Sequence, residues 1–528
     1  MRWIPLLLVS TFLAAQAPPV QEGPLRAHLA FLADDLLEGR GTGQRGGDLA
    51  VRYLETQMAV LGLKPIQDGG YRQKVPLNGI RTLKERTELR IEGGKEALAL
   101  QLETDAILGS GQPKAEIAFD APLVFAGYGT EAPEERWDDF KGLDVKGKVL
   151  VMLVNDPQPT AEEPDRFGGK TMTYYGRWTY KYEQAQRHGA AGVLLIHTDA
   201  SASYGWSVVR NSWTGERFHQ AGSAGNPIQG WITEAFARRL FQAAGKDLDA
   251  LREQAELRTF HLVDLGVRLR GTLRSAVRSL DQYNVAGLLP GTDPKLKDEA
   301  VVYSAHWDHF GRDAVHPERI YNGAVDNASG CAGLLAMAQA AVGRPAPRSQ
   351  IFLFVCGEEQ GLLGSEAWAQ APLWPLDRTV ADLNLDSMNW VGATKDVSLF
   401  GAERSTLLET GAQVAEAMGL KVAPRRPDTG GGYFRSDHFA FAKVGVPAFS
   451  VGSGRDWQKA PEASKKKAAS FGPKYHQPAD RYDPAWDFSG MVQQAQYTLN
   501  LGYAVAAAPQ RPQWKPGQRL PSFSPSAK

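Results

Sequence analysis

Apolar positions change their rhythm along the chain. Near the start, Leu25, Leu29, Leu32 and Leu36 recur at helical spacing. The stretch Gly39-Arg40-Gly41-Thr42-Gly43 breaks the pattern, and Asp48 to Leu61 resumes it as an amphipathic helix ending at Gly62. From Tyr71 to Phe119 the alternation is weak and predicts irregular β structure. Further on, three short continuous apolar runs each stop abruptly at polar groups. Val301 to Ala305 ends in His306-Trp307-Asp308, Ile351 to Cys356 ends in Gly357-Glu358-Glu359, and Val380 to Leu385 ends in Asp386. Between the first two, Asp326 stands directly ahead of a small-residue helix start, Asn327-Ala328-Ser329-Gly330. Such runs fit strands buried on both faces. Polar groups at their C-terminal ends fit the ligand crevice of an open α/β sheet.

The remaining elements complete that picture. Ser405 to Met418 and Phe488 to Ala507 read as helices and Val446 to Val451 as a strand, with a Gly-rich loop, Gly430-Gly431-Gly432, before Tyr433 to His438. The predicted fold class is α/β, a mainly parallel mixed sheet flanked by helices. Residues 122–265 follow their own logic: strands near Leu123 and Val149, a short helix over Tyr180 to His188, and a Gly-led strand at Val193. They are read as a small β-rich domain inserted between an N-terminal part, 18–121, and the principal domain, 266–508. Asp264 to Arg274 then reads as a returning strand, and Tyr283 to Leu289 leads into the run at Val301. Residues 509–528 form a Pro-rich tail read as disordered. Glu38 and Arg40 read as solvated or helix-end groups, and Lys465-Lys466-Lys467 as a solvated loop.

Residues 1–17 stand apart. A basic start at Arg2, an apolar core from Ile4 to Ala14 and Ala15-Gln16-Ala17 form a secretory signal peptide, with cleavage after Ala17. No later run reaches the ~18 apolar residues of a transmembrane helix. The chain is therefore read as exported, periplasmic or secreted. Basic and acidic residues balance at 59 each, which removes the electrostatic footprint of nucleic-acid or anionic-membrane binding. The two cysteines, Cys331 and Cys356, lie in apolar contexts and read as buried free thiols.

Chemistry gathers at the strand ends. His306, Asp326, Glu358, Glu359, Asp386 and the downstream His476 would meet at one sheet edge. Mixed imidazole and carboxylate ligands suit zinc or a related divalent ion. The set exceeds the needs of one tetrahedral ion and suits two ions ~3.5–4 Å apart sharing a carboxylate. Of the paired glutamates, one can ligate while its neighbour acts as general base toward a metal-activated water. Asp308 can take the other N–H of the His306 imidazole and fix its tautomer.

The series HWDH, GAVDNASG, CGEEQGLLGS, NLDSM, RSDHFAFAKVGVPAF and YHQPAD resembles the M28 family of zinc aminopeptidases, and the block 122–265 resembles the protease-associated domain inserted in exported peptidases. The resemblance implies two zinc ions per chain, His306 and Asp386 holding one, Glu359 and His476 the other, and Asp326 bridging. It implies Glu358 as the base, a cis peptide after Asp326, peptide substrates, and substrate contacts from Tyr433, Arg435, Asp437 and His438. The function it implies is removal of N-terminal residues from peptides. Three alternatives stay open: a carboxypeptidase on small acidic peptides, with Arg435 as carboxylate partner; a single-zinc glutaminyl cyclase; and a non-catalytic receptor-like scaffold.

Overall fold

The computed structural model describes residues 17–518 and 520, apart from 224, 314, 315 and 317. The signal-peptide expectation lies outside the described residues save for Ala17. That residue is buried, and its N–H donates to Asn500 Oδ1 at 3.1 Å.

The three apolar runs form the heart of a sheet. Ala300–His306 lies between Ser349–Val355 and Thr379–Asn384, parallel to both, and Ala448–Ser450 adds a further parallel strand outside Thr379–Asn384. All seven residues of Ala300–His306 and of Ser349–Val355 are buried, as strands covered on both faces must be. The chain leaves Ala300–His306 for Ser349–Val355 on one side and later returns to Thr379–Asn384 on the other. His306 thus ends the strand at which the winding reverses, where ligand crevices of open α/β sheets form. Helices Glu22–Leu32, Ser329–Val342, Leu407–Ala417 and Ser489–Ala507 cover one face, whose core includes Leu25, Leu29, Leu334 and Tyr497. Leu363–Gln370 and His438–Lys443 cover the other, through Trp368 and Phe441. The sheet is mixed, because Val263–Leu289 joins antiparallel to Ser349–Val355 and Arg72–Thr82 joins antiparallel to that in turn.

Val263–Leu289 differs from the expected pair of strands: it is a single strand of 27 residues. Its second half belongs to the sheet just described. Its first half pairs with Glu116–Phe125 and Glu88–Glu92 and opens a second sheet that continues through Val149–Leu153, Gly192–His197, Ile228–Thr233 and Ala106–Gly109. Two apolar cores, one per face, hold this second lobe, the first around Phe125, Phe241 and Leu240 and the other around Leu150, Leu195 and Trp231. Its strands therefore begin well before residue 122, which itself falls inside Glu116–Phe125. The weak alternation between Tyr71 and Phe119 hid them.

Two polar segments also fold differently from expectation. Pro461–Ala469, with the three lysines, is a helix. Part of the Pro-rich tail is docked: Arg511 donates to Glu299 at 2.6 and 2.9 Å, and Trp514 Nε1 donates to Gly445 O at 2.8 Å. Both cysteines are buried free thiols, and Cys331 Sγ donates to the His306 carbonyl at 3.1 Å.

Candidate metal centre

Register decides what meets at the sheet edge. His306 pairs with Val355, and Ser304 pairs with Asn384. Asp386 is therefore brought level with His306, while Glu358 and Glu359 follow just beyond the end of Ser349–Val355. Asp326 arrives from the turn before helix Ser329–Val342, where the Asp326–Asn327 peptide is cis. The Asp480 carboxylate holds this turn, accepting the N–H groups of Val325 and Asp326, each at 3.0 Å. His476 comes from four residues upstream of Asp480.

The distances form two triangles that share Asp326. His306 Nε2 lies 3.3 Å from Asp326 Oδ1 and 3.5 Å from Asp386 Oδ1. His476 Nε2 lies 3.4 Å from Asp326 Oδ2 and 3.3 Å from Glu359 Oε2. Nitrogen and oxygen ligands at their usual zinc distances occupy tetrahedron corners about 3.3–3.4 Å apart. Two edges of each triangle thus match those of a tetrahedral site, and the donor set fits two zinc-like ions.

The charges support the same reading. Burial works against charge on His306, yet Glu358, Asp326 and Asp386 outweigh it and hold the imidazole well above its ordinary range. Burial raises Glu359 to about 8, and burial together with Glu359, Asp386 and Asp437 drives Glu358 far above the carboxylate range. Carboxylates crowded this closely resist ionising together unless cations join them.

Asp308 acts differently from expectation. The His306 Nδ1–H is taken by the Asp308 carbonyl at 3.1 Å, while the carboxylate stands 3.9 Å away. The carboxylate instead accepts the Glu358 N–H at 3.1 Å and the Thr42 hydroxyl at 3.2 Å. One residue thereby orients the imidazole with its backbone and the glutamate loop with its side chain.

Of the four expected substrate contacts, three are interior groups. Tyr433 donates its hydroxyl to Ala448 O at 3.0 Å, with Arg404 over its ring. Asp437 accepts from Ser365 Oγ at 2.6 Å, and His438 packs edge-on against Tyr433. All three are no more than 2% exposed. The Gly-rich loop turns them under the sheet edge, and only Arg435, half-buried, remains at the cleft.

The structure adds residues that sequence reasoning missed. His309 donates from Nδ1 to Glu359 Oε1 at 2.5 Å. That separation is too short for two ligands of one ion and suits a hydrogen bond, which leaves Glu359 Oε2 facing His476. The repeated histidine in HWDH was the available signal. Tyr475 stacks on His476 at 3.7 Å, and its phenol is held far above the ordinary range by burial and by Asp326, Glu359 and Glu358. Arg40, read as solvated, is 1% exposed and donates to the carbonyls of Leu32, Trp307, Asn322 and Gly323. From the second lobe, Ser212 Oγ approaches His476 Nδ1 at 3.5 Å, and Arg217 donates to the Glu359 and Gln360 carbonyls, each at 3.3 Å. Nothing in the sequence pointed to those two.

Comparison with known proteins agrees with this geometry. The model of peptidase family M28 matches residues 284–499, a span containing every group of both triangles. Those residues are similar to peptidase family M28. A probable leucine aminopeptidase of Arthroderma otae is 27% identical over 233 residues, which are 43% of this chain and 58% of that protein. The chain thus aligns with under two thirds of that relative's length. An aminopeptidase from Aneurinibacillus sp. strain AM-1 shares the fold with a TM-score of 0.53 at 19% identity, covering 94% of this chain and 96% of its own. A zinc aminopeptidase from Bacillus subtilis aligns with a TM-score of 0.48 at 18% identity, over 93% and 96% of the two chains. Among the described residues, no helix is long and apolar enough to cross a membrane.

Proposed function

We propose that the chain is an exported dizinc aminopeptidase that hydrolyses the N-terminal peptide bond of its substrates. The observation carrying this reading is the two-sided use of Asp326, whose Oδ1 faces His306 at 3.3 Å and whose Oδ2 faces His476 at 3.4 Å. A carboxylate placed this way would serve two ions, one on each side. The single-zinc cyclase reading needs only one of the two complete triangles, and the scaffold reading needs neither. The block 122–265 is taken as a protease-associated insert, within the larger second lobe.

Zinc bound at both triangles would polarise the scissile carbonyl and lower the pKa of water. The chain's own groups do the rest. Glu358, its backbone fixed by Asp308, takes a proton from the attacking water and delivers it to the leaving amine. Tyr475, kept protonated by the surrounding carboxylates, presents a donor hydroxyl to the oxyanion that develops on the substrate.

Protein purified without chelator should carry about two zinc ions per chain and cleave aminoacyl chromogenic substrates, leaving N-blocked forms intact. One ion per chain with cyclisation of N-terminal glutamine, or turnover of the blocked forms, would overturn the reading.

A further inference from the structure

The second lobe returns one short strand to the catalytic sheet. Arg217–Gln220 pairs antiparallel with residues 77–80 of Arg72–Thr82, on the side away from Val263–Leu289. This strand grips the turn that carries the glutamate pair. Arg217 Nη1 and Nη2 donate to the carbonyls of Glu359 and Gln360, each at 3.3 Å. The Phe218 N–H donates to Gln360 Oε1 at 3.3 Å, and Gln220 Nε2 donates to the Leu363 carbonyl at 2.9 Å. The Arg217 fork is itself fixed. It lies 4.8 Å from the centre of the Trp213 ring, and Nη1 also donates to Ser212 O at 2.9 Å.

The turn needs such a hold. Gly357, Gly361 and Leu362 have φ of +66°, +110° and +61°, and a leucine stays in that region only where its surroundings keep it there. The turn's own N–H groups point inward: Gln360 and Leu363 donate to Gly357 O, and Gly361 and Leu362 to Glu358 O. The carbonyls of Glu359 and Gln360 are left to Arg217.

The two halves of the metal centre differ here. The His306 ring is oriented by Asp308 O at 3.1 Å, from within the catalytic lobe. Glu359 is held from both lobes, its Oε1 by His309 at 2.5 Å and its backbone by Arg217. We propose that Arg217 is a positioning residue for one ion of the pair. Through the turn it sets Glu359, so the second lobe completes the Glu359–His476 site, while the His306–Asp386 site is built without it. This rests on the dizinc reading and adds a dependence within it.

The test is zinc binding to the full chain after chelator stripping, measured by calorimetry and by elemental analysis after dialysis. The unsubstituted protein should take up about two ions. Uptake of about one would end the dizinc reading, and this proposal with it. With two bound, the variants judge the proposal alone. Arg217→Met should keep one ion at the original affinity and bind the other at least roughly tenfold more weakly, as the loss of a group that orients a ligand does. Arg217→Lys, which keeps the charge without the fork, should weaken the same ion by a smaller factor. Arg278→Met breaks the 2.7 Å pair with Glu216, which anchors the same strand without touching the turn, and should leave both ions unchanged. Two ions of original affinity in Arg217→Met, equal weakening of both, or the same loss in Arg278→Met would overturn the proposal. Where Arg217→Met does not fold, Arg217→Lys decides by the same outcomes.

Discussion

Lys181 is fully buried in the second lobe with Asp139 and Asp156 nearby, while at the catalytic sheet edge Asp326, Glu358, Glu359 and Asp386 crowd around His306 and His476. In the second lobe both of these acids are answered from within. Asp139 accepts from Thr130 N and Trp137 Nε1 at 2.9 and 2.8 Å, and Asp156 accepts twice from Thr173 at 2.6 and 2.8 Å. Lys181 supplies the charge and donates to Asn155 O at 3.2 Å. Burial brings Lys181 down to about 8 and lifts Asp139 and Asp156 to about 6 and 7. At the sheet edge, no Lys or Arg forms an ion pair with those four acids among the described residues; their charge partners there are the histidines His306, His309 and His476. Similar groups thus make a closed circuit in one lobe and an open one in the other. The closed circuit braces a fold, whereas the open one recruits its cations from outside.

Chelation should produce the largest contrast. Removing the ions should abolish turnover and lower the thermal midpoint, since a ligand at a thousandfold its Kd stabilises by about 4 kcal/mol; calorimetry with and without added zinc measures this. An unchanged midpoint would place the acids in a closed circuit after all. Next, Glu358→Gln should cut kcat by roughly 10³-fold with the metal count unchanged, read by turnover and elemental analysis. Lys181→Met should do the reverse, destabilising the chain by about 3–5 kcal/mol in denaturant unfolding while bound zinc stays at two per chain.

A pH series supplies the background slope. Burial lowers His28 and His219 to about 4, against about 6.5 for an unfolded histidine. Their folded values are depressed, so the unfolded chain binds protons first as pH falls from 6.5 toward 4. Stability should be flat above that window, decline through it and level below, each histidine contributing at most about 1.4 kcal/mol per pH unit. His28→Gln should shallow the decline. The smallest effect belongs to Thr42→Val, which removes one hydroxyl from Asp308 and should cost about 1 kcal/mol, measured by denaturant midpoint.

The metal centre was legible because a both-sides-buried strand leaves a continuous apolar signature and its end is marked by the first polar residue. His306, Glu358 and Glu359 follow that rule, whereas Asp386 closes a run already broken by Asp382 and Asn384. Arg40, Tyr433, Asp437 and His438 do not: their surroundings depend on how Gly-rich loops fold over the sheet edge, and local pattern says nothing of that. Val263–Leu289 was divided because its pattern changes where it crosses from one sheet to the other. Ser212 and Arg217 were invisible for a simpler reason. The candidate ligands lie about ninety or more positions away from them in the chain, and only the packing of two lobes brings them together.

Because Val263–Leu289 is an uninterrupted member of both sheets, the lobes meet along a beam and not at a swivel. Widening the cleft must be absorbed as twist distributed along a hydrogen-bonded ribbon, with a restoring force that grows with the opening. Ser212 and Arg217, carried by the second lobe, are tied through this ribbon to the same sheet whose ends carry His306 and Glu359.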